Sequence, residues 1–235
     1  MSKILKFIIF EHLQNIMKAC NLILNIQMKA HKHRLTDTTL QLITEKIYIV
    51  WSNTRRRVVL LLSLNKKNAF NNMTYDRLLH DMKQRRVFRL LFEFVKNFLK
   101  DQCIIITIND YMMMKCSVNI NISQDSLLLL ILYLFYNANL LKACDNIKLR
   151  TNFTSFINNV NILTYKKFMK CNCKVLNEIY DRCEQWSKTH NIKFLKTKHE
   201  LIHFTRTFKW FNMNESLKLT EHQIKSKSDI RILKV

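Results

Sequence analysis

The alternation of apolar and polar positions divides this chain into readable segments. Thr36 or Asp37 stands where a helix cap belongs, and Leu40, Ile43, Ile47 and Trp51 then recur on one helical face. Val58 to Leu64 is an unbroken apolar run between Arg55-Arg56-Arg57 and Asn65, the pattern of a buried strand. Tyr75 to Leu99 has helical spacing, with Leu78, Leu79 and Met82 followed by Leu90, Leu91, Phe94, Val95 and Phe98. Cys103 to Ile108 and Tyr111 to Val118 read as a hairpin turning at Asn109-Asp110. Gln124 to Leu141 reads as a buried helix, and Phe153 to Tyr165 as a second hairpin turning at Asn158-Asn159. Lys167 to His190 is an amphipathic helix carrying Val175, Ile179, Cys183 and Trp186, and the tail from Ile192 reads as strands. Helices mixed with hairpins predict an α+β fold.

Composition changes this picture in one respect. The chain has 235 residues with no glycine and no proline. Ordinary usage would give roughly 16 and 12 of them. Both residues solve turn geometry that others solve poorly, so selection on a fold does not explain their loss. A sustained G-to-A and C-to-T mutational bias does, because it converts Gly and Pro codons into Asn, Lys, Asp, Ser, Leu and Phe codons. The same bias bears on charge. Lys plus Arg number 39 against 17 Asp plus Glu, a net of +22. That balance points to a polyanionic partner, and Asp-to-Asn or Glu-to-Lys drift adds to it.

Other classes are excluded by pattern. The apolar run from Leu127 to Phe135 is too short to span a bilayer, so no membrane segment is expected. Met1 to Phe10 lacks a small-residue cleavage site, so no signal peptide is expected and an intracellular location follows. The seven cysteines contain no C-x-x-C pair and read as reduced thiols. His199-Glu200-Leu201-Ile202-His203 matches the H-E-x-x-H zinc signature, which requires a helix. Strand-like spacing from Ile192 to Phe204 would hold the two histidines roughly 13 Å apart, too far to share zinc.

Three segments carry a family resemblance. Leu64-Asn65-Lys66-Lys67-Asn68-Ala69-Phe70-Asn71-Asn72 is similar to the L-D-x-x-G-A-F-D-N segment of reverse transcriptases. Asn119 to Leu132 resembles N-T-G-I-P-Q-G-S-P-L-S-P-I-L, and Phe156-Ile157-Asn158-Asn159 resembles the F-x-D-D hairpin. Lys198 to Arg206 is similar to a later K-Y-E-L-I-H-F-T-R segment, and Gln27-Met28 ahead of Arg34 and Thr36 to the fingers strand that grips template. Order and spacing are kept from about Leu22 to Val235. The chain thus resembles the reverse transcriptase domain of a LINE-like (non-LTR) retrotransposon, with intron maturases as related alternatives.

The resemblance implies a polymerase fold with a fingers-like segment at 1–57 and a palm-like core at 58–235, finger insertions included. It implies a small mixed or antiparallel sheet packed by helices, with the thumb absent. Asn65, Asn158 and Asn159 stand where the family holds its metal-binding aspartates, and the fold should bring Asn65 beside the hairpin. Phe70 matches the residue that screens the sugar 2′ position; core packing beside Val59 and Leu61 is the alternative. Gln124, Lys198 and Arg34 match template or nucleotide contacts, Lys198 being otherwise a solvated strand lysine. The family uses two Mg²⁺ ions for in-line phosphoryl transfer. A carboxamide offers a neutral oxygen where Mg²⁺ wants an anionic one. The expected product is therefore an inactive polymerase relative without a well-bound cofactor or zinc. Weak, salt-dependent binding to RNA or DNA is expected to survive.

Overall fold

The computed structural model describes residues 3–20, 22, 24, 26–28, 36–53, 58–67, 69–70, 72–100, 103–108, 111–117, 127–144, 151–206, 216–219 and 222–230. Two compact units emerge. One combines Met1–Leu22, Asn68–Tyr136 and His190–Ile192; the other combines Ile23–Lys67, Asn137–Thr189 and Lys193–Val235.

The first unit begins with helix α1 (Lys3–Ala19), which the apolar pattern did not announce. The segment expected as one helix from Tyr75 to Leu99 is two, α3 (Tyr75–Gln84) and α4 (Arg89–Leu99). The break has a geometric cause. Arg86 takes φ 51°, the left-handed conformation that ends many helices. Its N–H bonds to Lys83 O at 3.0 Å, and Val87 N–H bonds to Met82 O at 3.1 Å. These two bonds form a Schellman cap, with arginine where glycine is usual. Strands β2 (Cys103–Ile108) and β3 (Tyr111–Ser117) pair antiparallel as the hairpin pattern predicts. Helix α5 is described over Leu127–Cys144, within and just past the predicted segment, whose first three residues lie outside the described ones; its part up to Tyr136 belongs to this unit. A buried ionic group ties α3 to the residues that close the unit. Asp81 Oδ1 lies 3.1 Å from Arg77 Nε, and Asp81 Oδ2 lies 3.2 Å from His190 Nε2. Tyr136 donates its hydroxyl to His190 O at 2.7 Å.

The second unit is built on a mixed five-stranded sheet. It contains helix α2 (Thr36–Asn53), strands β1 (Val58–Asn65), β4 (Thr151–Phe156) and β5 (Asn159–Lys166), helix α6 (Met169–His190, up to Thr189), and strand β6 (Glu200–Phe204). Short strands β7 (Leu217–Lys218), β8 (Gln223–Ile224) and β9 (Ser226–Lys227) follow. The sheet order is β4-β5-β1-β6-β9, with β9 parallel to β6 and the other pairs antiparallel. β1 is flanked on both edges, and its apolar residues are fully buried, as its unbroken run predicts. One sheet face presents Val59, Leu61 and Leu163 to Ile43, Ile47 and Val50 of α2. On the other face, the Asn172 side chain of α6 donates to Val58 O at 3.0 Å. The tail is not wholly strand: Lys196–Lys198 form a 3-10 turn. No helix among the described residues is long and apolar enough to cross a membrane.

Because Arg86 holds a left-handed conformation costing a residue with a Cβ ~1–2 kcal/mol, Arg86→Gly is expected to stabilise the protein by about 1 kcal/mol. Urea unfolding with an unchanged m-value measures it; a loss of stability would show that the cap does not hold Arg86 under strain.

Candidate functional site

The two segments expected to meet do so through the backbone ladder. β1 and β5 pair from Val58↔Lys166 to Asn65↔Asn159. The antiparallel register sets Asn65 and Asn159 on one sheet face at the end of the ladder, where Asn65 Nδ2 donates to Asn159 Oδ1 at 2.6 Å. The hairpin turns one residue earlier than the sequence suggested. Phe156 pairs with Asn159, so Ile157 and Asn158 are the turn and Asn159 opens β5. Ile157 has φ 50°, the left-handed first position of a type II′ turn, an unusual place for a β-branched residue. Asn158 O accepts Lys66 N–H at 2.9 Å, fastening the turn to the end of β1. The buried Asn158 Oδ1 has no hydrogen-bond partner among the described residues.

The face is polar around this pair and apolar beyond it. One step along the ladder, Thr154, Asn161, Ser63 and Glu200 line up across four strands. Glu200 is held by Lys227 Nζ at 2.7 Å. Lysines collect at the same end of β1. Lys67 N–H bonds to Lys193 O at 2.7 Å, and Leu195 N–H bonds to Asn65 O at 2.8 Å. The 3-10 turn carrying Lys196 and Lys198 follows directly. Lys67, Lys193, Lys196 and Lys198 are all exposed. Only Lys198 was singled out from the sequence. The others were not, because their neighbourhood depends on backbone bonds between segments far apart in the chain.

The remaining candidates stand as follows. Lys198 is on the 3-10 turn and not on a strand. Phe70, in the other unit, packs its ring against Tyr133 of α5 with centroids 4.5 Å apart. Arg34 and Gln124 lie outside the described residues, as do Lys29 to His33, Arg55 to Arg57 and most of the Asn119 to Leu132 segment. The two histidines of the H-E-x-x-H match engage different partners. His199 Nδ1 lies 3.0 Å from His222 Nε2, and His203, on strand β6, lies 2.9 Å from Met169 Sδ. Burial, then His222 and Lys196, push the His199 imidazole down to about 4, so it is neutral near pH 7. No group of three His, Cys, Asp or Glu suited to a metal occurs among the described residues.

Adjacent strand positions face opposite ways, so an Asn65 that joins the amide pair sends Lys66 into the packed side. Its amine donates to Asn137 Oδ1 at 2.7 Å, and Asn137 Nδ2 donates to Ser155 Oγ at 3.1 Å. Burial lowers the amine to about 7, with Cys183 acting weakly the other way.

No protein-family model matches the chain, and no curated protein matches it in sequence. Solved structures that share its fold include two telomerases. One is apo telomerase from Candida tropicalis, truncated from its C-terminal domain, with TM-score 0.58 and 8% identity over 94% of this chain and 43% of that one. The other is telomerase from Candida albicans in complex with the TWJ fragment of telomeric RNA, with TM-score 0.54 and 8% identity over 96% of this chain and 37% of that one. The chain therefore spans under half the length of either. At this identity the likeness is one of fold, and it is the fold of a reverse-transcriptase-like polymerase.

The buried amine makes stability depend on pH. An unfolded chain carries Lys66 with its ordinary value of 10.5, so between about 7 and 10.5 it binds a proton that the folded chain does not. Stability from this group therefore rises with pH across that window, by on the order of 1 kcal/mol per unit at most. Below about 7 both states are protonated and the dependence ends. Denaturant unfolding from pH 6 to 10 should show this slope in the natural chain and lose it in Lys66→Met. Equal slopes would place the amine in contact with water.

Proposed function

We propose that this chain is a degenerate reverse transcriptase domain of retrotransposon origin, without polymerase activity and with residual affinity for RNA or DNA. The supporting observation is the in-register meeting of Asn65 with Asn159 in a polymerase-like fold. It joins the two segments that, in the sequences they resemble, carry the metal-binding aspartates. The Asn158 turn is fastened to the same strand end.

The residues present do not fit Mg²⁺. That ion favours anionic oxygens in octahedral array. Here one amide donates its N–H to the next, occupying an oxygen with a proton donor. The exposed lysines nearby add positive charge. The same arrangement suits phosphate oxygens, which need donors and positive charge and no metal. Binding thus survives in this reading where catalysis does not. The LINE-like origin rests on the three motif resemblances and on the glycine-free composition, which mutational decay explains.

Primer extension on an RNA template with Mg²⁺ or Mn²⁺ tests the proposal. The purified chain is expected to give no product, while filter binding detects RNA at low salt. Neutralising a handful of phosphates gives an affinity that falls by ~10³ or more between 50 and 200 mM salt. Extension by the unmodified chain would overturn the inactive reading, and salt-insensitive or absent RNA binding would overturn the binding one.

A further inference from the structure

The packed face of the second unit contains a cluster of nucleophiles that the amide site does not use. Cys144 is the last residue of α5, and Cys183 lies in the middle of α6. Both are fully buried. Their sulfurs are 3.2 Å apart although the residues are 39 apart in sequence. About 1 Å of further approach would reach the ~2.05 Å of a disulfide. The Cys144 contact and burial both push the Cys183 thiol up.

We propose that Cys144 and Cys183 are an oxidisable dithiol that a peroxide converts into an intramolecular disulfide. The Cys144 thiol gives its proton to water as the helix end opens. Its sulfur attacks one peroxide oxygen, the O–O bond breaks, and the departing hydroxide takes up that proton as water. Cys144 is left as the sulfenic acid. The Cys183 sulfur then attacks the sulfenic sulfur, the S–S bond forms, the S–O bond breaks, and the Cys183 proton leaves with the hydroxyl as a second water. Two thiols and one hydrogen peroxide give one disulfide and two waters. The thiols lose two electrons and the peroxide gains them.

Position sets the rate. Buried, protonated thiols react slowly. Helix ends fray, so Cys144 at the end of α5 is the member that opening exposes. The exposed Cys20 and Cys171 meet oxidant sooner. Their reaction does not create this link.

The test uses the full chain and hydrogen peroxide. After timed exposure, free thiols are alkylated in denaturant, the chain is digested, and peptides are weighed before and after reduction. A peptide pair joining Cys144 to Cys183, lighter by two hydrogens and split by reductant, is expected to accumulate as the main cross-link. The oxidised chain should unfold at higher temperature than the reduced one. Cys144→Ser and Cys183→Ser should each abolish the link. Recovery of Cys144 and Cys183 as free thiols after Cys20 and Cys171 are consumed would overturn the proposal, as would a scatter of links among other cysteines.

Discussion

Strand β1 is the constraint from which the second unit follows. It is paired on both edges, to β5 and β6, and its apolar residues are inaccessible on both faces. Such a strand tolerates one register. A slip of a single residue would turn every side chain to the opposite face. Asn65 would leave the amide pair, and the lysine beside it would take its place. The burial of Lys66 and the pairing of the half-buried Asn65 with Asn159 are therefore one fact seen from two sides. The lysine is accommodated because Asn137 accepts from its amine and in turn donates to Ser155 Oγ. Without that chain, a buried amine would be a large penalty.

The missing glycines leave a second imprint. Left-handed backbone is still required at three described positions, and Arg86, Ile157 and Asn191 occupy them. Asn191 follows α6 and is the mildest case, since asparagine tolerates this region. Arg86 closes α3 with full Schellman hydrogen bonding, and Ile157 turns the hairpin. Each turn holds this geometry with a residue other than the glycine best suited to it. The fold is held by sheet pairing and burial, and its turns follow.

Periodicity was readable where burial is one-sided or complete. α2, β1, the β4–β5 hairpin and α6 lie close to where the apolar spacing puts them. The break between α3 and α4 was hidden because Arg85 and Arg86 carry no stop signal of the Gly or Pro kind. The hairpin turn was misplaced by one residue because Asn158-Asn159 looks like a turn pair, whereas strand pairing puts Ile157 in it. As neighbours, Asn65 and Asn159 were legible through motif spacing. Lys67 and Lys193 were not, since only the bonds between the end of β1 and the segment before β6 bring them together. The partner of Phe70 also lay beyond local pattern: Tyr133 comes from α5, in a run so uniformly apolar that no face is marked.

The proposed function puts carboxamides where carboxylates would hold a metal, at the end of this ladder. Titration of the folded chain with Mn²⁺, followed by electron paramagnetic resonance of the free ion, distinguishes the two. No saturable site is expected in the natural chain, and one should appear when Asn65→Asp, Asn158→Asp and Asn159→Asp are combined in a chain that remains folded. A saturable Mn²⁺ site in the natural chain that is lost in Asn65→Ala would contradict it.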